Sequence, residues 1–338
     1  MGAGRSYPPT VAIDFSDPAD NVYAFAKMWA AVGDEPAYGC FHGTMFASVG
    51  DSKLQPLFGY AGTGVMQARI LDNGHARLRG KETGYFTDLA TGVPMTHWDN
   101  PFTGETVEVF DFCNDRVRGE LGLEMPRFAF GEEGDEPTDM HTGTGADTGS
   151  AAGDDADRGA AGDSPVPFLL PWQTYGDQVL LEWDYTHRYT NPVRPTLWPS
   201  ASTGEYINPS EHFCFVTSLR ELEDRSCDSA NFTAGFSRLG PWWPWMRMGG
   251  SGVQGVLFGR MFSRKVVRGL EDIPAPILEH TQRHHPDFLE APTDWDDGAP
   301  ISTWEAFARE VPPEVESDPP NHPPNPSAEH PPASTENP

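Results

Sequence analysis

Strand-like runs recur about every ten residues through most of this chain, and that rhythm constrains the fold more than any other feature. AYGCFHGTMFASV (37–49), KLQPLFGYAG (53–62), GVMQARIL (64–71), HARLRGKETGYF (75–86), TGVPMTHW (91–98) and GETVEVFDF (104–112) follow one another, punctuated by DNG, TG and NP turn signals. DQVLLEWDYTHRY (177–189) and EHFCFVTSLRELED (211–224) read as long strands, FTAGFSR (232–238) and GVQGVLFGRMF (252–262) as shorter ones. Closely spaced strands with short turns pair with their sequence neighbours. The expectation is a mainly β fold, an antiparallel barrel or strongly curved sheet around an apolar pocket. Three helices break the pattern. DPADNVYAFAKMWAAV (17–32) opens on Asp-Pro and spaces Val22, Phe25, Ala26, Trp29 and Ala30 at helical intervals. Two more, around 272–285 and 302–310, pack outside the sheet.

Two segments stand apart by composition. Residues 131–164 hold ten acidic side chains against one arginine and no large apolar residue but Met140, so they cannot offset the entropy of ordering. Residues 311–338 are rich in proline, glutamate and asparagine without periodicity. The expected organisation is one β-rich domain over 10–310, interrupted by a disordered acidic insertion and followed by a disordered tail. These two segments carry about −14 of the formal charge of −27. A surface this acidic repels a nucleic-acid backbone and an anionic membrane, which excludes both as partners. Nor is there an uninterrupted apolar run of about 18 residues. Cys40, Cys113, Cys214 and Cys227 are widely spaced, with no C-x-x-C pair, and read as buried free thiols rather than a zinc or disulfide framework.

In DQVLLEWDYTHRY, alternation puts Val179, Leu181, Trp183, Tyr185, His187 and Tyr189 on one face. A histidine among aromatics on an otherwise apolar wall suits a small-ligand pocket, although a core histidine bonded to a carbonyl satisfies the same pattern. His42 sits similarly among Tyr38, Cys40, Thr44 and Phe46. Glu211 and His212 are adjacent on a strand, so only one of them shares a face with His187. Asp184 and Glu211 are carboxylates that need partners if buried. GPWWPWMRMGG (240–250) gathers Trp242, Trp243, Trp245 and Met246 in a proline-stiffened loop that cannot be a central strand. It can plug a core, wall a pocket or face a partner, in the last case a homo-oligomer. Arg238 just before it is a candidate anion anchor. His97 and Asp99 flank a turn whose Asn100, Pro101 and Gly104 are explained by turn chemistry alone.

DPADNVYAFAKM, the Y-x-x-x-x-G-T spacing from Tyr38 to Thr44, PLFGYAG, ETGYFTDLATGVPMTHWDNPFTGETVEV, SEHFCFV, SRLGPWWPWMRMG, HHPDFLEAPTDW and ISTWEAF together resemble the bacterial and fungal family catalogued as domain of unknown function 1838. The resemblance runs in order through nearly all of the folded chain. It implies no reaction. It associates many relatives with a twin-arginine export leader; without one here, a cytoplasmic location is the expectation.

These residues lead to a functional expectation. It is a cofactor-independent enzyme that binds a small apolar or aromatic metabolite and catalyses proton transfer, as in isomerisation, dehydration or cyclisation. His187, His42, Glu211 and Asp184 are the catalytic candidates. Trp183, Tyr185, Tyr38, the tryptophan loop, Arg238, His97 and Asp99 are the substrate-binding ones. The alternatives are a non-catalytic carrier or sensor and a mononuclear metal enzyme using His42, His187, His212 and Glu211. No H-x-H or H-E-x-x-H motif supports a metal, and His280, His284 and His285 read as a solvated helix face. The glycine-rich MGGSGVQG (248–255) has no helix after it and does not read as a nucleotide-binding motif, and no G-x-S-x-G elbow is present.

Overall fold

The computed structural model describes residues 10–115, 118–125, 166–186, 188–265, 269–293, 295 and 302–315. The expected insertion at 131–164, the tail beyond 315 and His187 lie outside these residues. Helix α1 spans Pro18–Trp29. Proline at its first position has no donor to waste, and the Asp17 carboxylate accepts from Ala19 N at 2.7 Å to cap the end. The strands follow: β1 Ala37–Val49, β2 Gln55–Ile70, β3 Ala76–Thr87, β4 His97–Asp99, β5 Thr106–Glu108, β6 Phe112–Asp115 and β7 Arg118–Leu121. Beyond the insertion come β8 Trp172–Tyr175, β9 Gln178–Thr186, β10 Tyr189–Thr190, β11 Tyr206–Ile207 and β12 Ser210–Ser218. The short helix α2 (Leu219–Glu223), strands β13 (Phe232–Gly240) and β14 (Gly255–Lys265), and helices α3 (Ala275–His284) and α4 (Thr303–Glu310) complete the chain.

Ten strands form one antiparallel sheet in the order β6-β3-β2-β1-β14-β13-β12-β9-β8, with β7 also on β3. No closed barrel is found among the described residues. At the two edges, Met125 N donates to Val166 O and Phe168 N to Leu123 O, both at 2.8 Å, around a single isolated bridge rather than a ladder. One face of this sheet holds α1 against both of its flanks. On one side Ala68 N of β2 donates to Ala31 O. On the other, Phe25 meets Trp183 of β9, while Trp29 meets Phe215 of β12 and Phe232 of β13.

Several sequence expectations change in detail. The runs 53–62 and 64–71 are one continuous strand, β2, because Thr63 and Gly64 continue the ladder instead of turning. Gly62 is required there: a Cβ would lie 1.7 Å from Thr83 O and 2.6 Å from the Phe41 ring. The run 211–224 is a strand followed by α2, whose start is capped by the Ser218 hydroxyl accepting from Glu221 N. Chain assigned to the tail also packs: the Trp198 indole N–H donates to the carbonyls of Val311 and Pro312, and Glu314 N donates to Leu197 O. A tryptophan donor and the Leu197 carbonyl thus hold proline-rich chain that has no periodicity. Of the cysteines, only Cys40 and Cys113 are buried; Cys214 is half-buried and Cys227 exposed.

Two of the chain's four lysines are buried. Lys27 donates to the carbonyls of Leu222 and Asp224, tying α1 to the end of α2. Lys265, on the last residue of β14, reaches the carbonyls of Lys27, Ala30 and Ala230 and the Ser229 hydroxyl. A cation at the carbonyl end of α1 complements the helix dipole and satisfies the terminal acceptors. Burial pulls the Lys265 pKa well below the ordinary lysine value.

Among the described residues no helix is long and apolar enough to cross a membrane.

Candidate functional site

Pairing register decides which side chains share the face that holds α1. Glu211 of β12 lies opposite Arg238 of β13 and opposite Tyr185 of β9; Phe213 lies opposite Phe236 and Trp183. Phe236 in turn faces Met261, Met261 faces Gly43, and Gly43 faces Tyr60. Because alternate residues point to opposite faces, these rows define a belt across the middle of the sheet. Below it is the α1 cluster with Phe25, Trp183 and Phe215. Above it is a second core built from the tryptophan loop with Phe58, Phe86, Trp98, Trp304 and Phe307. Phe41, Tyr60, Phe213 and Phe236 are only half-buried, so the belt between the two cores retains solvent access.

The polar centre of the belt is an ion pair. Arg238 Nε lies 2.8 Å from Glu211 Oε1, with both side chains about 85–90% covered (15% and 12% exposed). The approach is off the N–H axis, so Nε makes no hydrogen bond of good angle and the contact is electrostatic. The guanidinium lies 5.6 Å from the Trp243 ring centroid and 5.5 Å from Trp304, and cation–π contacts of that kind favour arginine over lysine. Burial pushes the Tyr189 phenol up to about 12, against the opposing pull of Arg238, and Ser302 hydrogen-bonds to it. Tyr189 is therefore a neutral phenol at physiological pH. Four groups from β10, β12, β13 and the start of α4 meet here.

Of the residues expected from sequence, Glu211, Arg238 and Trp243 come together at this belt, and Trp183 packs just below it against Phe25. Tyr185 is in register with them by its backbone position on β9. The others do not join them. His42 is exposed on the opposite face of β1, beside Phe262 at 6.2 Å, because its strand neighbour Cys40 packs under α3. Tyr38 shares that outer face, where burial and the charges of Glu290 and Glu35 raise its pKa. Asp184 is 74% exposed and pairs with His212, again on the outer face. That separates His42 and His212 from Glu211 and removes them from a shared metal site with it. His97 and Asp99 are exposed on β4 while Trp98 between them is buried, so they point away from the core. The Asp99 carboxylate accepts from the Thr106 hydroxyl at 2.6 Å.

The tryptophan loop is a core plug. Trp242, Trp243, Trp245, Met246 and Met248 are all buried. Pro244–Met246 form a single 3-10 turn, which ends on Arg247 in the left-handed region (φ 54°). Arg247 pairs with Glu314. Asn100 secures the loop from across the molecule: its amide donates to Met246 O at 2.8 Å while its carbonyl accepts from Phe102 N. Trp243 also touches the belt, 5.5 Å from Tyr60.

Sequence reasoning missed Tyr60, Phe213, Phe236, Tyr189 and Trp304 as neighbours of this pair. The alternation Glu211-Phe213-Phe215 and Phe236-Arg238 was visible, but nothing local says that the two strands pair with Glu211 opposite Arg238.

Residues 34–311 match the family described as Protein of unknown function (DUF1838). No curated protein matches the chain.

Proposed function

This chain belongs to the DUF1838 family, and from that premise we propose that it binds a small, largely apolar or aromatic metabolite on the belt and performs proton-transfer chemistry on it. The observation that carries the reading is the Glu211–Arg238 pair, set among half-buried aromatic rings with the neutral Tyr189 phenol alongside. In this reading the rings of Phe213, Phe236 and Tyr60 take the apolar body of the ligand. Arg238 holds its anionic or carbonyl oxygen. Glu211 moves the proton and Tyr189 donates a hydrogen bond to the oxygen that gains charge. The expected role of His42 is dropped, since it faces the other way. His187 lies outside the described residues and takes no step here.

The mutual satisfaction of Glu211 and Arg238 favours one second reading, a carrier that binds the same class of molecule unchanged. One experiment separates them. Aromatic and alicyclic acids and ketones are screened by thermal shift against the wild type, Phe236→Ala and Glu211→Gln. Each stabilising compound is then incubated with protein in D2O and recovered for mass analysis. Deuterium uptake or product formation that Glu211→Gln abolishes supports the enzyme. Intact, unlabelled ligand whose binding Phe236→Ala weakens supports the carrier. Binding indifferent to Phe236→Ala, or no binding across the screen, overturns the use of the belt.

A further inference from the structure

The outer face of the sheet carries a cluster that the belt does not use. Asp111 precedes β6, His280 lies within α3, and His285 is the first residue beyond it. His280 Nε2 is 3.0 Å from Asp111 Oδ2, and His285 Nε2 is 3.7 Å from the same oxygen. One donor atom from each of the three lies within 4.8 Å of the others, and all three side chains are half-buried. We propose that Asp111, His280 and His285 bind one divalent transition-metal ion of the zinc or ferrous type.

Three features carry this. The first is convergence. One imidazole satisfies that carboxylate oxygen by hydrogen bonding, while the second lies 3.7 Å from the same oxygen, beyond hydrogen-bond length. Donors held at about 2.0–2.1 Å around an ion stand about 3.0–3.4 Å from one another. Of the three edges, the Asp111–His280 edge already fits, the Asp111–His285 edge needs a shift of a few tenths of an ångström, and the two imidazole nitrogens, within 4.8 Å, close on the ion by side-chain rotation.

The second is donor chemistry. Two imidazole nitrogens and one carboxylate suit zinc or ferrous iron, whereas magnesium and calcium prefer all-oxygen sets. Three protein donors leave positions for water or a small ligand.

The third is the supporting shell. The Tyr85 ring is 4.6 Å edge-on from His280 and stacks 6.1 Å from His285, and its hydroxyl donates to Thr281 Oγ1 at 3.0 Å. A fully buried tyrosine anchored in this way fixes both imidazole planes, as outer contacts do in metal centres. His284, by contrast, is exposed and contacts His280 only by its ring, so the helical pair 280/284 suggested by spacing is not the ligand pair.

The test uses untagged full-length protein stripped with a chelator and dialysed. Co(II) is titrated while its visible d–d bands are followed, and Zn(II) is then added as competitor. The expected result is one equivalent of Co(II) bound at micromolar affinity or tighter and displaced by Zn(II). Asp111→Asn and His285→Gln each weaken binding at least tenfold, while His284→Gln changes it less than twofold. Zn(II) raises the thermal midpoint of the wild type and not of His285→Gln, with far-UV circular dichroism checking that each variant folds. If one variant is misfolded, the other decides. No binding by the wild type, or binding unchanged in the folded variants, overturns the site. Loss in His284→Gln alone moves it elsewhere.

Discussion

Lys265 donates from its ammonium to the carbonyl of Ala30 at 2.6 Å, joining the end of β14 to the end of α1. The same ammonium reaches Lys27 O and Ala230 O, so one side chain gathers three chain segments around a helix terminus. Lys265→Met keeps most of the stem volume and removes the shared donor from three buried carbonyls. Lys27 O keeps the Ala230 N–H and Ala30 O keeps the Ser229 hydroxyl, so with about 1–3 kcal/mol for leaving a buried polar group unpaired the expected loss, carried by Ala230 O, is about 1–3 kcal/mol in urea unfolding. A loss under about 1 kcal/mol would mean that water replaces the ammonium.

Trp245 is 1% exposed, and its indole Nε1 has no hydrogen-bond partner among the described residues. Trp245→Ala opens a cavity against Phe58, Phe86 and Trp98 and should cost about 3–5 kcal/mol. Trp245→Phe also removes the unsatisfied N–H, so it should cost less than half as much. Equal losses for the two variants, measured by chemical denaturation, would show that the N–H is paired after all.

Burial raises the pKa of Tyr85 and Cys113 and pushes Tyr189 up to about 12. In the unfolded chain these groups ionise near about 10 for tyrosine and about 8.5 for cysteine. The folded state therefore keeps protons that the unfolded state releases, and stability falls as pH rises. Their contribution should be flat from neutral pH to about 8, fall from about 9 as the thiol is engaged, and fall steeply between about 10 and 12, while Lys265, held below the ordinary lysine value, adds the opposite slope below about 10.4. Tyr189→Phe should flatten the last part of that curve by on the order of 2–3 kcal/mol. An unchanged slope above pH 10 in that variant would remove Tyr189 from the account.

Arg238 and Glu211 sit between two cores, so removing one leaves the other's charge in a mostly covered setting. Arg238→Met should cost about 3–5 kcal/mol. Combining it with Glu211→Gln should restore part of that loss, giving a coupling energy well above the few tenths of a kcal/mol seen for independent sites. Additive losses in the double-mutant cycle would mean that the two side chains do not act as a pair.

Part of the belt was legible along single strands. On β9, Val179, Leu181 and Trp183 are buried while Glu182 and Asp184 are exposed, as alternation predicts. On β1 the same rule grouped His42 with Tyr38 and Cys40 correctly, yet the group faces outward. A period of two states which side chains go together; it does not state which face is inside. On β1 both faces are partly apolar, since α3 covers the outer one, so burial contrast was absent. Of the three roles open to the tryptophan loop, burial selects the core plug, and Asn100, read as a turn residue, also pins that loop to the rest of the fold.

The sequence by itself determined the β-rich character of this protein, its helix starts at Asp17 and Ser302 and its family membership, because each depends on periodicity, capping or motif order within a short window. Only the tertiary structure decided that Glu211 meets Arg238 and that Asp111 meets His280 from 169 residues away. Those meetings depend on strand register and on where α3 docks, which are set by the simultaneous packing of distant elements. No local stretch of chain encodes them.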